Sequence, residues 1–214
     1  MLPSIGAIQR LYLKNFLTYK EVEFRPRSGL NMIVGPNGSG KSSLVCGICL
    51  ALAGKPNVLG RAPHLKEFIK FGCTHADLEI ELFQPQGNLT ITRTIYPSRS
   101  DWKINGAPSN QDNVAKTVAK MNIQVNNLCQ FLPQDRVADF AKMTPQELLV
   151  GTENAVGSTM LIENHENLKS LQKELLALEK KILVTAEHRD KELQLNQHLE
   201  SELKQFNDYK AVRK

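Results

Sequence analysis

The stretch NMIVGPNGSGKSSLVCGICLALAG, residues 31–54, decides how the rest of the chain is read. From Gly35 it runs G-P-N-G-S-G-K-S, the spacing of a phosphate-binding loop with both glycines, the lysine and the hydroxyl in place. Met32, Ile33 and Val34 are predicted to form a short buried strand that delivers the chain to the loop. Gly35, Pro36, Asn37, Gly38, Ser39 and Gly40 then fold the backbone into a nest whose N–H groups converge on phosphates. Lys41 sets a compact ammonium against the outer phosphates, and Ser42 offers a hydroxyl to the bridging magnesium, followed by Ser43. The next segment reads as a helix whose positive N-terminus points at the same anions. The pattern implies binding of a nucleoside triphosphate with Mg2+.

Length and composition set the bounds. The 214 residues hold one sizeable core plus an extra element, at 41% hydrophobic and 23% charged residues. No apolar run reaches bilayer length, and the N-terminus MLPSIGAIQR lacks the pattern of a secretory signal, so no membrane partner and an intracellular setting are expected. Cys46 and Cys49 form a C-x-x-C on the helix after the loop. With no second pair they read as core packing, and no metal site is expected beyond magnesium. The net charge is +5; residues 1–164 carry 17 Lys+Arg against 13 Asp+Glu, which permits contact with DNA.

Two textures divide the chain. Residues 1–160 read as α/β: AIQRLYLKNF and KEVEF as strands, then Leu78, Ile80 and Leu82 alternating with acids. PQGN makes a turn, Leu89, Ile91 and (less cleanly) Ile95 alternate again, and Trp102 and Ile104 precede an Asn-Gly turn. Ser109 with Asp112 reads as the cap of a helix over NVAKTVAKMNI. Residues 161–214 contain no glycine or proline and carry heptads. Leu168, Leu175, Ile182, Arg189, Asn196, Leu203 and Lys210 fall at a; Leu171, Leu178, Thr185, Glu192, Leu199, Phe206 and Arg213 fall at d. A helix of about 50 residues extends roughly 75 Å, so it is expected to project and pair with another helix.

A P-loop lobe running into a coil resembles the N-terminal head half of the structural maintenance of chromosomes (SMC) ATPases. LYLKNFLTY, with Lys14, is similar to their opening strand and turn; Arg61 in VLGRAPHLKEFIKFG matches their R-loop arginine. NLCQFLPQDRV matches their Q-loop, with Gln134 as ligand to metal and water; Gln130, four residues earlier, is the alternative. Asp135 stands where most of the family has glycine, a change shared by the fifth eukaryotic branch, which LAGKPNVLGRA and CQFLPQDRVADFAKMTPQELL also resemble.

The resemblance implies an ABC-type head lobe with a mixed sheet and an antiparallel part, followed by a coiled-coil arm. Its implied ATP contacts are the loop from Gly35 to Ser43 with Gln134, Arg61 and Lys14; its implied magnesium ligands are Ser42 and Gln134. No Walker B run into Asp-Glu, no L-S-G-G-Q signature and no switch histidine occurs in the chain, so it is expected to be one piece of a composite ATPase, inactive alone. The implied partners are the C-terminal head lobe of the same subunit, a sixth-branch SMC protein as heterodimer partner, a kleisin with its winged-helix proteins, a SUMO ligase subunit on the arm, and DNA. The implied role is clamping DNA by ATP-driven head engagement in chromosome maintenance and recombinational repair, on chromosomes in the nucleus. A zinc-hook double-strand-break repair ATPase shares head and coil, and an ABC transporter subunit shares the loop; both stand as alternatives on sequence. His64 and His75 read as surface or structural residues.

Overall fold

The computed structural model describes residues 4–60, 64–156 and 159–212. The chain divides into two compact units, Met1–Gly157 and Ser158–Lys214.

The first unit is built on one six-stranded sheet, in the order β2-β1-β3-β4-β5-β6. Its strands are β1 (Ile8–Phe16), β2 (Tyr19–Phe24), β3 (Ala76–Leu82), β4 (Leu89–Ile95), β5 (Ser100–Ile104) and β6 (Ala107–Ser109). All neighbours are antiparallel; Leu11 pairs with Phe24 on one side and Ile80 on the other, and Ile80 with Ile91. Strict alternation explains the single core face: β3 and β4 both bury every second residue. Leu11, Leu13, Leu78, Ile80, Leu82 and Ile91 have no exposed surface, each contributing about 1.5–3 kcal/mol of burial.

The helix α1 (Lys41–Ala51) packs on this face with Leu44, Cys46, Cys49 and Leu50. Gly47 permits the close approach, since a Cβ there would stand 2.8 Å from both Leu13 methyls. The C-x-x-C pair is thus core: both cysteines are buried and neither is in a disulfide, and burial pushes the Cys49 thiol up to about 12.

Two sequence expectations are corrected. Residues 31–34 form no strand, and among the described residues every assigned strand pairing is antiparallel. Leu30, Met32 and Val34 are 96%, 81% and 79% exposed. A strand needs a neighbour to take its N–H and C=O groups, and none of the described strands pairs with this run. The second correction concerns α2 (Gln111–Ala119). Its cap is Asn110, whose side chain accepts from the Asn113 N–H at 2.9 Å, while Ser109 ends β6.

The short helix α3 (Val137–Ala141) leads to α4 (Pro145–Val156). Thr144 and Glu147 close a reciprocal box at its start: the Thr144 N–H donates to Glu147 Oε2 at 2.8 Å, and the Glu147 N–H to Thr144 Oγ1 at 3.2 Å. These bonds from Thr144 hold the Glu147 carboxyl below its ordinary range.

The second unit is the helix α5 (Thr159–Val212), 54 residues long, with exposed aliphatic residues Leu168, Leu171, Leu175, Leu178 and Ile182 at the seam positions. Among the described residues no helix is long and apolar enough to cross a membrane. Arg213 lies outside the described residues.

Candidate nucleotide-binding site

The glycine-rich stretch lies open from Asn31 to Ser39 and closes at buried Gly40, where α1 begins. Gly40 has φ 99°, a left-handed conformation only glycine adopts without strain, and makes no side-chain cap bond. The first amides of α1 therefore lack both a capping side chain and intrahelical acceptors, and the positive end of the helix faces the loop. Lys41 Nζ donates to the Gly35 carbonyl at 2.7 Å and the Pro36 carbonyl at 2.8 Å, which places the ammonium over the loop.

The hairpin between β1 and β2 fixes the loop from below. Tyr19 Oη donates to the Gly40 carbonyl at 3.0 Å, and burial raises its pKa, so the phenol stays a neutral donor. The hydroxyls of Thr18 and Ser43 meet at 3.3 Å, and Lys70 Nζ donates to the Thr18 carbonyl at 2.9 Å. A Cβ on Gly40 would meet the Tyr19 ring at 2.6 Å and Thr18 Oγ1 at 2.9 Å, so the hairpin and the loop are shaped to each other. A cavity of about 650 Å³ opens beside them, lined by Leu17, Thr18, Ser43, Glu67, Phe68, Ile69 and Phe71. Thr18, Tyr19 and Lys70 were not singled out on sequence; only the place of Thr18 and Tyr19 in LYLKNFLTY, and of Lys70 in VLGRAPHLKEFIKFG, hinted at them.

Ser42 is half-buried in the first turn of α1, and no hydrogen bond engages its hydroxyl among the described residues. A hydroxyl and an amide oxygen are ligand types that magnesium accepts. No cluster of three His, Cys, Asp or Glu able to hold a metal occurs among the described residues, so such an ion would rest mainly on phosphate oxygens. The donor set therefore fits magnesium carried on a nucleotide.

Gln134 opens a 3-10 turn, Gln134–Arg136, and is exposed. No hydrogen bond joins it to the loop among the described residues. Gln130 is committed elsewhere. Its oxygen accepts from the Gln124 N–H at 2.7 Å, and its nitrogen donates to the carbonyls of Asn122 and Ala155 at 2.8 and 3.2 Å. With Asn127 donating to Gly151 O at 2.8 Å and Gln124 to Asn154 O at 2.5 Å, it belongs to an amide latch on the carboxyl end of α4. A Cβ on Gly60 would stand 3.1 Å from Asp135 Cβ, which brings the segment before Arg61 against the residue after Gln134. Arg61 itself lies outside the described residues. Lys14 is exposed on β1, in register with Glu21 and Asp77, on the sheet face away from the core.

This loop, cradle and helix define a P-loop nucleotide-binding domain, and residues 10–211 match the model of the AAA domain family, to which the chain belongs. Its relatives narrow the class. It is 43% identical over 185 residues to structural maintenance of chromosomes protein 5 of Arabidopsis thaliana, covering 85% of this chain and 18% of that protein. The proteins of the same name from Schizosaccharomyces pombe and Caenorhabditis elegans are 42% and 37% identical, covering 79% and 88% of this chain. The chain spans 16–18% of the length of these curated relatives. Among solved structures it resembles one titled for ATP-driven dimerization and DNA-stimulated activation of SMC ATPases: TM-score 0.60, 26% identity, 69% of this chain and 98% of that one. It also resembles a Pyrococcus furiosus Smc head with an extended coiled coil bound to the C-terminal domain of ScpA: TM-score 0.65, 25% identity, 82% of this chain and 48% of that one. The sequence corresponds to the N-terminal head region of an SMC protein of the fifth branch, an ATPase family of chromosome maintenance.

Proposed function

We propose that residues 1–160 are the ATP-binding half of an SMC head and residues 161–214 the start of its coiled-coil arm. The observation that carries this reading is the loop held by Tyr19, Thr18 and Lys41 at the start of α1, a fit for a triphosphate rather than a chance glycine turn. Lys41 and the loop amides hold the phosphates, and Ser42 and Gln134 complete the shell of magnesium, which when bound neutralises phosphate charge. Arg61 and Lys14 are assigned to the same nucleotide with the loop residues Gly35 to Ser43.

The exposed run Leu30–Val34 supports a composite head. It borders an apolar cavity of about 760 Å³ whose walls include Ile8, Phe24, Ile33 and Ile48. A strand from the C-terminal lobe of the same subunit would pair the run and bring the missing Walker B carboxylates. The sixth-branch SMC partner supplies the signature motif across the nucleotide. A kleisin with its winged-helix proteins and a SUMO ligase subunit on the arm complete the assembly. In this reading ATP-driven head engagement clamps DNA during recombinational repair, on nuclear chromosomes, and this chain alone does not hydrolyse ATP.

The test is reconstitution. The purified chain is assayed for ATP turnover alone, then with the C-terminal lobe, then with the partner head added. Turnover only in the full mixture supports the composite site, whereas steady turnover by the chain alone, unchanged on addition, refutes it.

A further inference from the structure

A second candidate binding place lies away from the phosphate loop, around Arg93. This residue takes a core-facing position of β4, between Ile91 and Ile95, and is 2% exposed. Its guanidinium lies over Trp102, 4.4 Å from the ring centroid. Nη1 donates to the Leu50 carbonyl at 2.9 Å, near the carboxyl end of α1. Nε and Nη2 share one acceptor, the Ser100 hydroxyl, at 3.3 and 3.2 Å. A guanidinium has five N–H donors. Three bonds engage those of Arg93, two of them long, and two N–H groups are left over.

The charge matters more than the bonds. No carboxylate pairs with Arg93 among the described residues, and the one ionisable group that acts on it is the Cys49 thiol. The stretches 1–3, 61–63, 157–158 and 213–214 contain no Asp or Glu. The end of α1 offers only a partial negative charge, about half a unit. Arginine is almost never fully buried unless paired, because an uncompensated charge in low dielectric is costly. Burial accordingly pulls the Arg93 pKa down to about 10, still far above neutral pH, so the charge persists.

Arg93 forms one wall of a cavity of about 570 Å³ that also presents His64, Ser98, Arg99, Ser109 and Asn110. Arg99 is already engaged by Asp101 and Tyr96. Asn110 caps α2, so the positive end of that nine-residue helix opens here. Asp101 and Asp112, the acids nearest in sequence, are not among the lining residues. Donors, hydroxyls and one buried cation face a shared space large enough for a tetrahedral anion. We propose that this cavity is an oxyanion site, separate from the phosphate loop, that takes a phosphate group with Arg93 as its buried anchor.

The test titrates inorganic phosphate into the full chain carrying Lys41→Ala, which silences the loop, with calorimetry as the readout. Saturable binding is expected, falling at least tenfold in Arg93→Gln and largely retained in Arg93→Lys. Ser100→Asp covers the case in which Arg93→Gln does not fold, because it places a carboxylate where the Ser100 hydroxyl meets the guanidinium. That variant should lose phosphate binding and melt higher than its parent. The absence of saturable binding, or unchanged affinity in folded Arg93→Gln or Ser100→Asp, overturns the proposal. Duplex DNA binding measured on the same variants separates the sources: a parallel loss identifies backbone phosphate, and an unchanged value identifies free phosphate.

Discussion

Replacing Gly40 with alanine tests the fit between the β1–β2 hairpin and the phosphate loop. At φ 99° an L-residue carries strain of about 1–2 kcal/mol. The new Cβ stands 2.6 Å from the Tyr19 ring and 2.9 Å from Thr18 Oγ1, an overlap of the kind that costs about 1–3 kcal/mol. If Tyr19 swings aside instead, the bond to the Gly40 carbonyl is lost, at about 1 kcal/mol. Together these give about 2–5 kcal/mol, or roughly 5–20 °C in melting temperature for a domain of this size. Trp102 is the single tryptophan and is buried in the first unit, so its fluorescence reports that unit's unfolding without signal from α5. ATP affinity by calorimetry should fall together with stability. Gly40→Ala should cost less in a Tyr19→Ala background, because the collision is then gone. Melting within a degree of the parent, unchanged ATP affinity, or equal cost in both backgrounds would refute the reasoning.

Lys41→Ala should lose most ATP affinity by calorimetry with a near-native melt, since it removes a loop-facing ammonium and no core group; undiminished affinity in the folded variant refutes the site. The Glu147 carboxyl has a folded pKa below its ordinary 4.5, so its box with Thr144 stabilises α4 above that range and loses the contribution as pH falls through the depressed value. An NMR titration of Glu147 showing an ordinary midpoint would contradict this. In an arm paired with its returning helix, amides around Thr185, Arg189, Glu192 and Asn196 should exchange faster than those of Leu168–Ile182. Thr185 turns back to the Lys181 carbonyl at 2.8 Å and Arg189 engages Asp190 at 2.6 Å, satisfying them along their own helix; uniform protection along the arm refutes the soft segment.

The residues that could be read from sequence are those whose pattern is local. β3 and β4 announce themselves because Leu78, Ile80, Leu82, Leu89 and Ile91 alternate, and the loop because its glycines, lysine and serine sit at fixed spacing. Met32–Val34 misled for the opposite reason: an apolar run signals burial, but burial as a strand requires a partner that pattern does not supply. Arg93 was hidden by the same logic, since a charge at a core position looks like a broken alternation until Trp102, Ser100 and the Leu50 carbonyl are seen around it. Asn110 displaced Ser109 as the cap because Ser109 is still the last residue of β6, paired with Trp102. Gln130 and Gln134 could not be separated by spacing. The amide latch on α4 shows only which of the two is already occupied.

The pairing of β1 with β3 also bears on how the chain assembles. Leu11 meets Ile80 across an excursion that contains β2, the phosphate loop and α1, whereas the pairings from β3 to β6 each join strands consecutive in the chain. Closing the excursion carries an entropic cost that grows with the logarithm of its length, and the later strands avoid that cost. The meander of β3 to β6 should therefore nucleate folding, with β1 zipping onto β3 afterwards and α1 docking last. On this order, substitutions around Gly40 and Gly47 act after the rate-limiting barrier. They should speed unfolding and leave the refolding limb of a chevron nearly unmoved, whereas substitutions at Ile80 or Ile91 should slow refolding.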